Sequence, residues 1–264
     1  MFFLKGLSNA NTEVDVGDVV DVATVDFHSH ILPALDDGSQ SVEMSLDMLR
    51  ASAGQGVGKI VATPHFYPGR IDPKSFFEKR AEAANMLAKA IAERKQKGEN
   101  FPEVYLGAEV AFFDGMSRYK GLDRFCINGT RLLMVEMPFQ KWTENEVAEL
   151  GAIKNEQGLI PIIAHIERYI DKQSKDLYPM IFSGDILIQA NADAFLERKT
   201  RKRMMKMLMQ GEVDLLGSDC HNLTIRIPNI SEAISNITQY CGEEDVFELM
   251  RFSNYVLETA IPIE

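Results

Sequence analysis

Apolar positions in this chain gather into short runs rich in β-branched residues, set between longer stretches where they recur every three or four positions. Seven of the short runs read as strands: about 24–31, 59–64, 104–108, 132–135, 160–164, 186–190 and 213–218. Val42, Leu46, Leu49 and Ala53 lie at helical spacing, so 42–55 is expected to be an amphipathic helix ended by Gly56 and Gly58. Asp72-Pro73 reads as an N-cap with proline in the first turn. The helix it starts carries Phe77, Ala81, Ala84, Ala88 and Ile91 on one face and stops near 97, before Gly98. Thr143 and Glu146 form a capping box for a helix ending near Gly158. A short helix is expected around 174–183. A basic helix follows over 195–210, with Leu196, Met204 or Met205, and Leu208 inward. Two helices, about 229–240 and 243–258, close the chain, and residues 110–130 read as loops around Gly115, Gly121 and Gly129.

Strands alternating with helices imply an α/β fold with parallel strands and right-handed crossovers. Closed into a barrel, such a chain carries its site at the C-terminal ends of the strands. Residues 1–22 read as an arm, and 23–264 as a single domain.

Composition narrows the class. The chain has 264 residues, 45% of them hydrophobic, which suits one α/β unit with a sizeable core. Its net charge of -11 argues against a nucleic-acid backbone or an anionic membrane as main partner. A phosphorylated ligand stays open, because bound cations would make a site locally positive. Three cysteines, Cys126, Cys220 and Cys241, lack close spacing and give no disulfide framework, so a cytoplasmic setting is expected. The N-terminal apolar block is too short for a signal peptide, and no apolar run approaches the ~20 residues of a membrane span.

The candidate chemistry lies at the strand ends. There are five histidines, and each follows an apolar run: His28 and His30, His65, His165 and His221. Residues two apart on a strand share a face, so His28 and His30 present two imidazoles side by side. Glu109, Glu136 and Asp219 end other runs, and Asp37 follows the first. These imidazoles and carboxylates exceed what one ion binds but suit two or three divalent ions. Donor type leaves Mn²⁺, Fe and Zn²⁺ open. A carboxylate such as Glu109 can bridge two ions, and water between them would ionise near neutral pH. Arg168 and Arg226 closely follow His165 and His221, and guanidinium forks suit phosphate oxygens. The combination points to hydrolysis of a phosphate monoester, with no obvious protein general acid. Cys220 and Arg226 have the Cys-x5-Arg spacing of thiol phosphatases. The residues between contain no glycine to free a phosphate-cradling loop, and Cys220 would face away from Asp219 and His221 if 213–221 ran as a strand.

His28-Ser29-His30-Ile31-Leu32-Pro33, Asp36-Asp37-Gly38, Thr63-Pro64-His65, Gly107-Ala108-Glu109, Val135-Glu136, Ala164-His165-Ile166-Glu167-Arg168 and Ser218-Asp219-Cys220-His221-Asn222 occur in that order. As an ordered set they resemble the polymerase-and-histidinol-phosphatase (PHP) superfamily. Within it they are most similar to the bacterial manganese-dependent protein tyrosine phosphatases of capsule and exopolysaccharide loci. The resemblance implies a distorted (β/α)7 TIM-like barrel and a three-metal centre. It also implies action on the phosphotyrosine tail of a membrane-bound tyrosine autokinase. It places His28, His30, Glu109 and Asp219 on one metal, and His65 and His165 on a second sharing Glu109. Asp37, Glu136 and His221 serve a third, and Arg168 and Arg226 take the phosphate. The chain departs from the family's short members in its longer front arm, and has Arg226-Ile227-Pro228 where they have Arg-Pro-Pro. A small-molecule phosphatase of the histidinol-phosphate type, or a non-catalytic metal-binding module, are the alternatives. Oligomeric state is not legible.

Overall fold

The structure, a computed structural model, describes residues 22–259. Apart from Val22, the arm expected over 1–22 lies outside the described residues.

In chain order the elements are β1 (Thr24–Ser29), α1 (Val42–Gly54), β2 (Val57–Ala62), β3 (His65–Phe66), α2 (Pro73–Lys95), β4 (Glu103–Leu106) and β5 (Glu109–Ala111). β6 (Leu132–Glu136), α3 (Glu144–Gln157), β7 (Ile160–Ile163), α4 (Tyr178–Ile181), β8 (Leu187–Asn191), α5 (Asp193–Leu196), α6 (Arg201–Met209), β9 (Leu215–Gly217), α7 (Ile230–Cys241) and α8 (Glu243–Thr259) follow. The α/β alternation and the all-parallel pairing expected from the sequence are both present. One sheet has the order β1-β2-β4, the other β3-β5-β6-β7-β8-β9.

Two expected strands are each broken in two. β3 prolongs β2, and β5 prolongs β4, with breaks at Thr63-Pro64 and Gly107-Ala108. Proline has no N–H for a ladder. Around the breaks, the Thr63 N–H donates to Ser29 O and the Gly107 N–H to Ala62 O, each at 2.8 Å. These bonds carry the β1–β2 and β2–β4 pairings past the breaks. Past β9, Ser29 makes a single parallel bridge with Cys220, and the Asp219 N–H reaches His28 O at 2.7 Å. The far edge of the larger sheet thus returns to β1.

Strands buried on both faces read as near-continuous apolar runs. β6 shows why. Leu133 and Val135 pack in a layer with Val147, Leu150 and Ile153 of α3. Leu132 and Met134 meet Phe27, Ile162, Leu187 and Leu215, together with Val256 and Leu257 of α8. The capping box of Thr143 and Glu146 forms as expected, and Gly158 ends α3 in the left-handed region that favours glycine.

Two expectations about helices need correction. Of the expected face of α2, Phe77, Ala84 and Ile91 pack partly buried against the core, but the fully buried residues are Phe76, Ala83 and Leu87, and Ala81 and Ala88 are exposed. Phe76 anchors it, 5.1 Å from the Phe66 ring, and Arg80 covers the same face by donating to Gly107 O and Arg124 O. An arginine used this way hides the apolar stripe. The basic helix 195–210 is two helices. Glu197 is extended, with φ -68 and ψ 132, and the Thr200 hydroxyl caps α5 by donating to Ala194 O. Met204, Met205, Met207 and Leu208 are the buried face of α6. No helix among the described residues is long and apolar enough to cross a membrane.

Candidate metal centre

Parallel strands point their C-terminal ends the same way, and the donors named from the sequence meet there. His28 and His30 leave β1 on one face, with Nε2 atoms 3.1 Å apart. Glu109 Oε2 lies 3.2 Å from His28 Nε2 and 3.4 Å from His30 Nε2. Asp219 Oδ1 lies 3.4 and 3.3 Å from the same two atoms. A second group forms on the other side of Glu109. His165 Nε2 is 2.7 Å from Glu109 Oε1 and 3.9 Å from Glu136 Oε1, and His65 Nδ1 is 3.0 Å from Glu109 Oε2. The third group is outermost: Asp37 Oδ1 is 3.4 Å from both His65 Nε2 and His221 Nε2.

The resemblance placed Glu136 with Asp37 and His221, but the geometry gathers it with His65 and Glu109. The reason is register: Glu136 pairs with Ala111 on β5, beside Glu109. His65 in turn uses its two ring nitrogens on two groups.

Backbone strain marks the same place. His165 (φ 35) and Asp219 (φ 53) lie in the left-handed region, where a non-glycine residue costs about 1–3 kcal/mol. Those turns break the strands early and aim both side chains inward. Two glycines permit close approach. A Cβ on Gly38 would fall 2.2 Å from His30 O, and one on Gly217 would fall 2.5 Å from His28 Cβ.

The electrostatics follow from burial and charge. Burial opposes protonation of His28, but Glu109 and Asp219 outweigh it and raise the pKa. Burial raises the Glu109 carboxyl, yet His28 and His165 hold it well below the usual carboxylate range. Burial, helped by Arg168 and opposed by Glu109, takes His165 down to about 4, and burial plus His30 does the same to His221. Glu136 is raised by burial and by Glu109. Arg226 Nη2 approaches Asp219 Oδ2 at 2.6 Å, and Arg168 Nη2 bonds the same oxygen.

Cys220 is fully buried, and burial pushes its thiol strongly up. The strand ends at Gly217, so alternation along a continuous strand is not what hides it. The left-handed turn at Asp219 does that.

Several residues of the site were not picked out from the sequence. Asp36, neighbour of the expected Asp37, lies 2.7 Å from His30 Nδ1 and also accepts from the His65 N–H. Gln189 and Asn191 of β8 are buried among the donors. An amide inside the apolar run Ile186-Leu187-Ile188-Gln189-Ala190 was a readable signal. Tyr67 stacks on His65 at 5.1 Å, and Phe139 lies 6.2 Å from the His165 ring.

The residues fit divalent cations. Ligands ~2.1 Å from one centre stand ~3.0 Å apart in an octahedron and ~3.4 Å apart in a tetrahedron. The five separations among His28, His30, Glu109 and Asp219 given above run from 3.1 to 3.4 Å. Two N–H groups cannot face each other at 3.1 Å. Asp219 Oδ1 and His221 Nε2 are buried without a hydrogen-bond partner, as donor atoms awaiting a cation would be.

Known proteins agree with this picture. The profile of a family described as "Capsular polysaccharide synthesis, CpsB/CapC" matches residues 24–257. The tyrosine-protein phosphatase CpsB of Streptococcus pneumoniae is 31% identical over 238 residues, 85% of this chain and 94% of that protein. The putative tyrosine-protein phosphatase CapC of Staphylococcus aureus is 32% identical over 210 residues, 76% of this chain and 78% of that protein. A crystal structure from work on YwqE of Bacillus subtilis and CpsB of Streptococcus pneumoniae, described as unique metal-dependent tyrosine phosphatases, superposes with a TM-score of 0.77. It is 24% identical and covers 91% of this chain and 100% of its own, a likeness of fold. On the profile match and these identities, the chain belongs to the CpsB/CapC family of capsular polysaccharide synthesis.

Proposed function

We propose that this protein is a metal-dependent protein tyrosine phosphatase, a phosphoric monoester hydrolase acting on the phosphotyrosine tail of a tyrosine autokinase that controls capsule and exopolysaccharide synthesis. The observation that carries the reading is the single carboxylate, Asp219, that faces the innermost metal donors with Oδ1 and both arginines with Oδ2. Phosphate recognition and cation binding are one side chain apart. The names of the relatives supply the substrate class.

The three donor groups support two or three divalent ions, with manganese the family's metal. His28, His30, Glu109 and Asp219 would hold one. His65, Glu109, Glu136 and His165 would hold a second. Asp37, His65 and His221 would hold the outermost. When bound, such ions supply a water of lowered pKa and share the charge of the phosphate.

The protein's own residues do the rest. Arg168 and Arg226 release Asp219 Oδ2 to clamp two non-bridging phosphate oxygens. Glu109 holds the two inner histidine groups at fixed separation. Phe139, half of it in solvent, lies nearly parallel to His165 at 19° and 5.1 Å from the Tyr169 ring, offering its open face to an aryl group. A tyrosyl phenolate, whose parent phenol titrates near ~10, departs with little protonation, so no protein acid is required.

The same reading includes a distorted (β/α)7 barrel, supported by the bonds from Thr63 to Ser29 of β1 and from Gly107 to Ala62 of β2 at the two breaks, and by the return of the chain after β9 to β1. It takes 23–264 as one catalytic domain and a cytoplasmic location, supported by thiols without a disulfide among the described residues. The test is hydrolysis of a phosphotyrosine peptide after chelation, then after separate return of Mn²⁺, Fe²⁺ and Zn²⁺. The expected result is loss, then recovery with at least one ion. Activity that survives complete metal removal would overturn the proposal. Faster turnover of histidinol phosphate than of the peptide would favour the small-molecule alternative.

A further inference from the structure

With β2 and β3, and β4 and β5, each taken as one broken strand, every strand among the described residues sends a metal donor to the mouth except β8. Its two inward side chains nearest the mouth, Gln189 and Asn191, are nonetheless buried among donors from three other strands. We propose that Gln189 and Asn191 are positioning residues, an amide relay that runs from Asp219 to His28 and sets which nitrogen of His28 faces the cation. The inference rests on the metal-centre reading above.

The relay can be read atom by atom, because each end has fixed polarity. At one end, Asn191 Nδ2 lies 2.9 Å from Asp219 Oδ2. A carboxylate only accepts, so the amide N–H₂ must point there. Asn191 Oδ1 therefore faces Gln189 Nε2, at 3.0 Å, as acceptor. At the other end, the His165 backbone N–H donates to Gln189 Oε1 at 2.7 Å. A backbone N–H cannot reverse its role, so the orientation of Gln189 is set twice over, and the two answers agree.

Gln189 Oε1 has one lone pair left, and His28 Nδ1 lies 3.2 Å from it. That nitrogen is then the one that carries hydrogen. His28 Nε2, the atom 3.1 to 3.4 Å from His30, Glu109 and Asp219, keeps its lone pair for a cation. Asp219 and His28 belong to the same donor group, so one ligand orients another through two amides. His165, a donor of the second group, is placed by the same oxygen. Gly217 makes the junction possible: a Cβ there would lie 2.8 Å from Gln189 Nε2. Hydrogen-bond partners of metal-bound histidines commonly act in this way.

The test uses the full-length protein with Zn²⁺, which is diamagnetic. Two-bond ¹H–¹⁵N spectra should show His28 protonated at Nδ1 in the Zn-loaded wild type. Zn²⁺ affinity, measured against a competing chelator, should fall about 10–100-fold in Gln189→Met, which cannot accept from His28. Gln189→Glu keeps the acceptor contacts to His28 and His165 but sets a carboxylate oxygen against Asn191 Oδ1, so it should leave His28 protonated at Nδ1 and bind Zn²⁺ at least about threefold more tightly than Q189M. A His28 without a proton on Nδ1, or equal Zn²⁺ affinities for Q189M and Q189E, would overturn the relay. If Q189M does not fold, the spectra of wild type and Q189E decide, since loss of the His28 Nδ1 proton in either is also fatal. A wild-type protein that takes up no Zn²⁺ would overturn the metal-centre reading instead.

Discussion

Arg226 Nη2 lies 2.6 Å from Asp219 Oδ2, an oxygen that Arg168 also bonds. Two guanidinium groups sharing one oxygen can both turn to a phosphate without moving far. Arg168→Lys and Arg226→Lys should each lower kcat/KM for a phosphotyrosine peptide about 10–100-fold, because a lysine cannot grip two oxygens at once. The double variant should lose less than the product of the single losses, since the two act on one group. Steady-state kinetics with metal content measured in parallel checks this. Full activity in either single variant would count against the clamp.

Cys220 is buried and its thiol is held protonated by that burial. Cys220→Ser should keep kcat within about twofold, and iodoacetamide should not inactivate the native protein, because the thiolate is the reactive form. A chelator should abolish activity in wild type and variant alike. Inactivation by alkylation at Cys220, read by mass spectrometry, would revive a cysteine mechanism.

Metal uptake should release protons. Burial works against charge on His28 and His30, but Glu109 and Asp219 raise the first, and Asp36, Asp219 and Glu109 raise the second well above the ordinary 6.5, so without metal the pair holds a proton at neutral pH. The 3.1 Å gap to His30 Nε2 leaves room for one proton between the two rings. A cation in this group must displace it, so affinity there rises with pH through and above 6.5. His165 and His221, depressed to about 4, have no proton to lose in that range. Mn²⁺ titration calorimetry in buffers of different ionisation heat should report about one proton released at neutral pH. Heats that do not depend on the buffer would contradict the assignment.

Gly217→Ala places a Cβ 2.5 Å from His28 Cβ and 2.9 Å from its backbone nitrogen. Backbone cannot move aside cheaply, so the variant should lose about 1–3 kcal/mol of stability and bind less metal. Gly54→Ala is the control. It meets nothing within 4 Å, lies in α1, and should gain about 0.5–1 kcal/mol. Urea unfolding of both, with metal analysis, compares them. A G217A protein of normal stability and metal content would show that the close approach is not required.

Phe139→Ala removes the aromatic surface beside His165. Ring stacking worth about 0.5–1.5 kcal/mol corresponds to roughly 3–10-fold in kcat/KM for a phosphotyrosine peptide. An alkyl phosphate should be hydrolysed at an unchanged rate. Equal losses on both substrates would assign Phe139 a packing role only.

Much of this was readable from the chain, for a physical reason. Strands buried on both faces write themselves as apolar runs, and each of His65, Glu109, Glu136 and His165 stands at or just past the end of one. The positions where reading stopped are equally specific. Arg80 covers the inner face of α2, which apolar spacing places one position along, at Phe77, Ala81 and Ala84. Glu197 breaks a helix at a residue with no helix-breaking chemistry of its own. Asp36 and Asp37 are indistinguishable as letters, yet one orients His30 and the other faces the outermost group. Gln189 contributes through hydrogen-bond polarity, which only coordinates display.

The stopper of the interior is the last helix. Val256 and Leu257 fill the core beneath the strands, and Asn254 bonds Ala23 O at 2.7 Å, at the beginning of β1. The start of the first strand and the final helix therefore sit together at the end of the molecule opposite its opening. A tether fixed near either one, to a bead or a surface, presents the mouth outward and leaves it free to meet long, flexible chains.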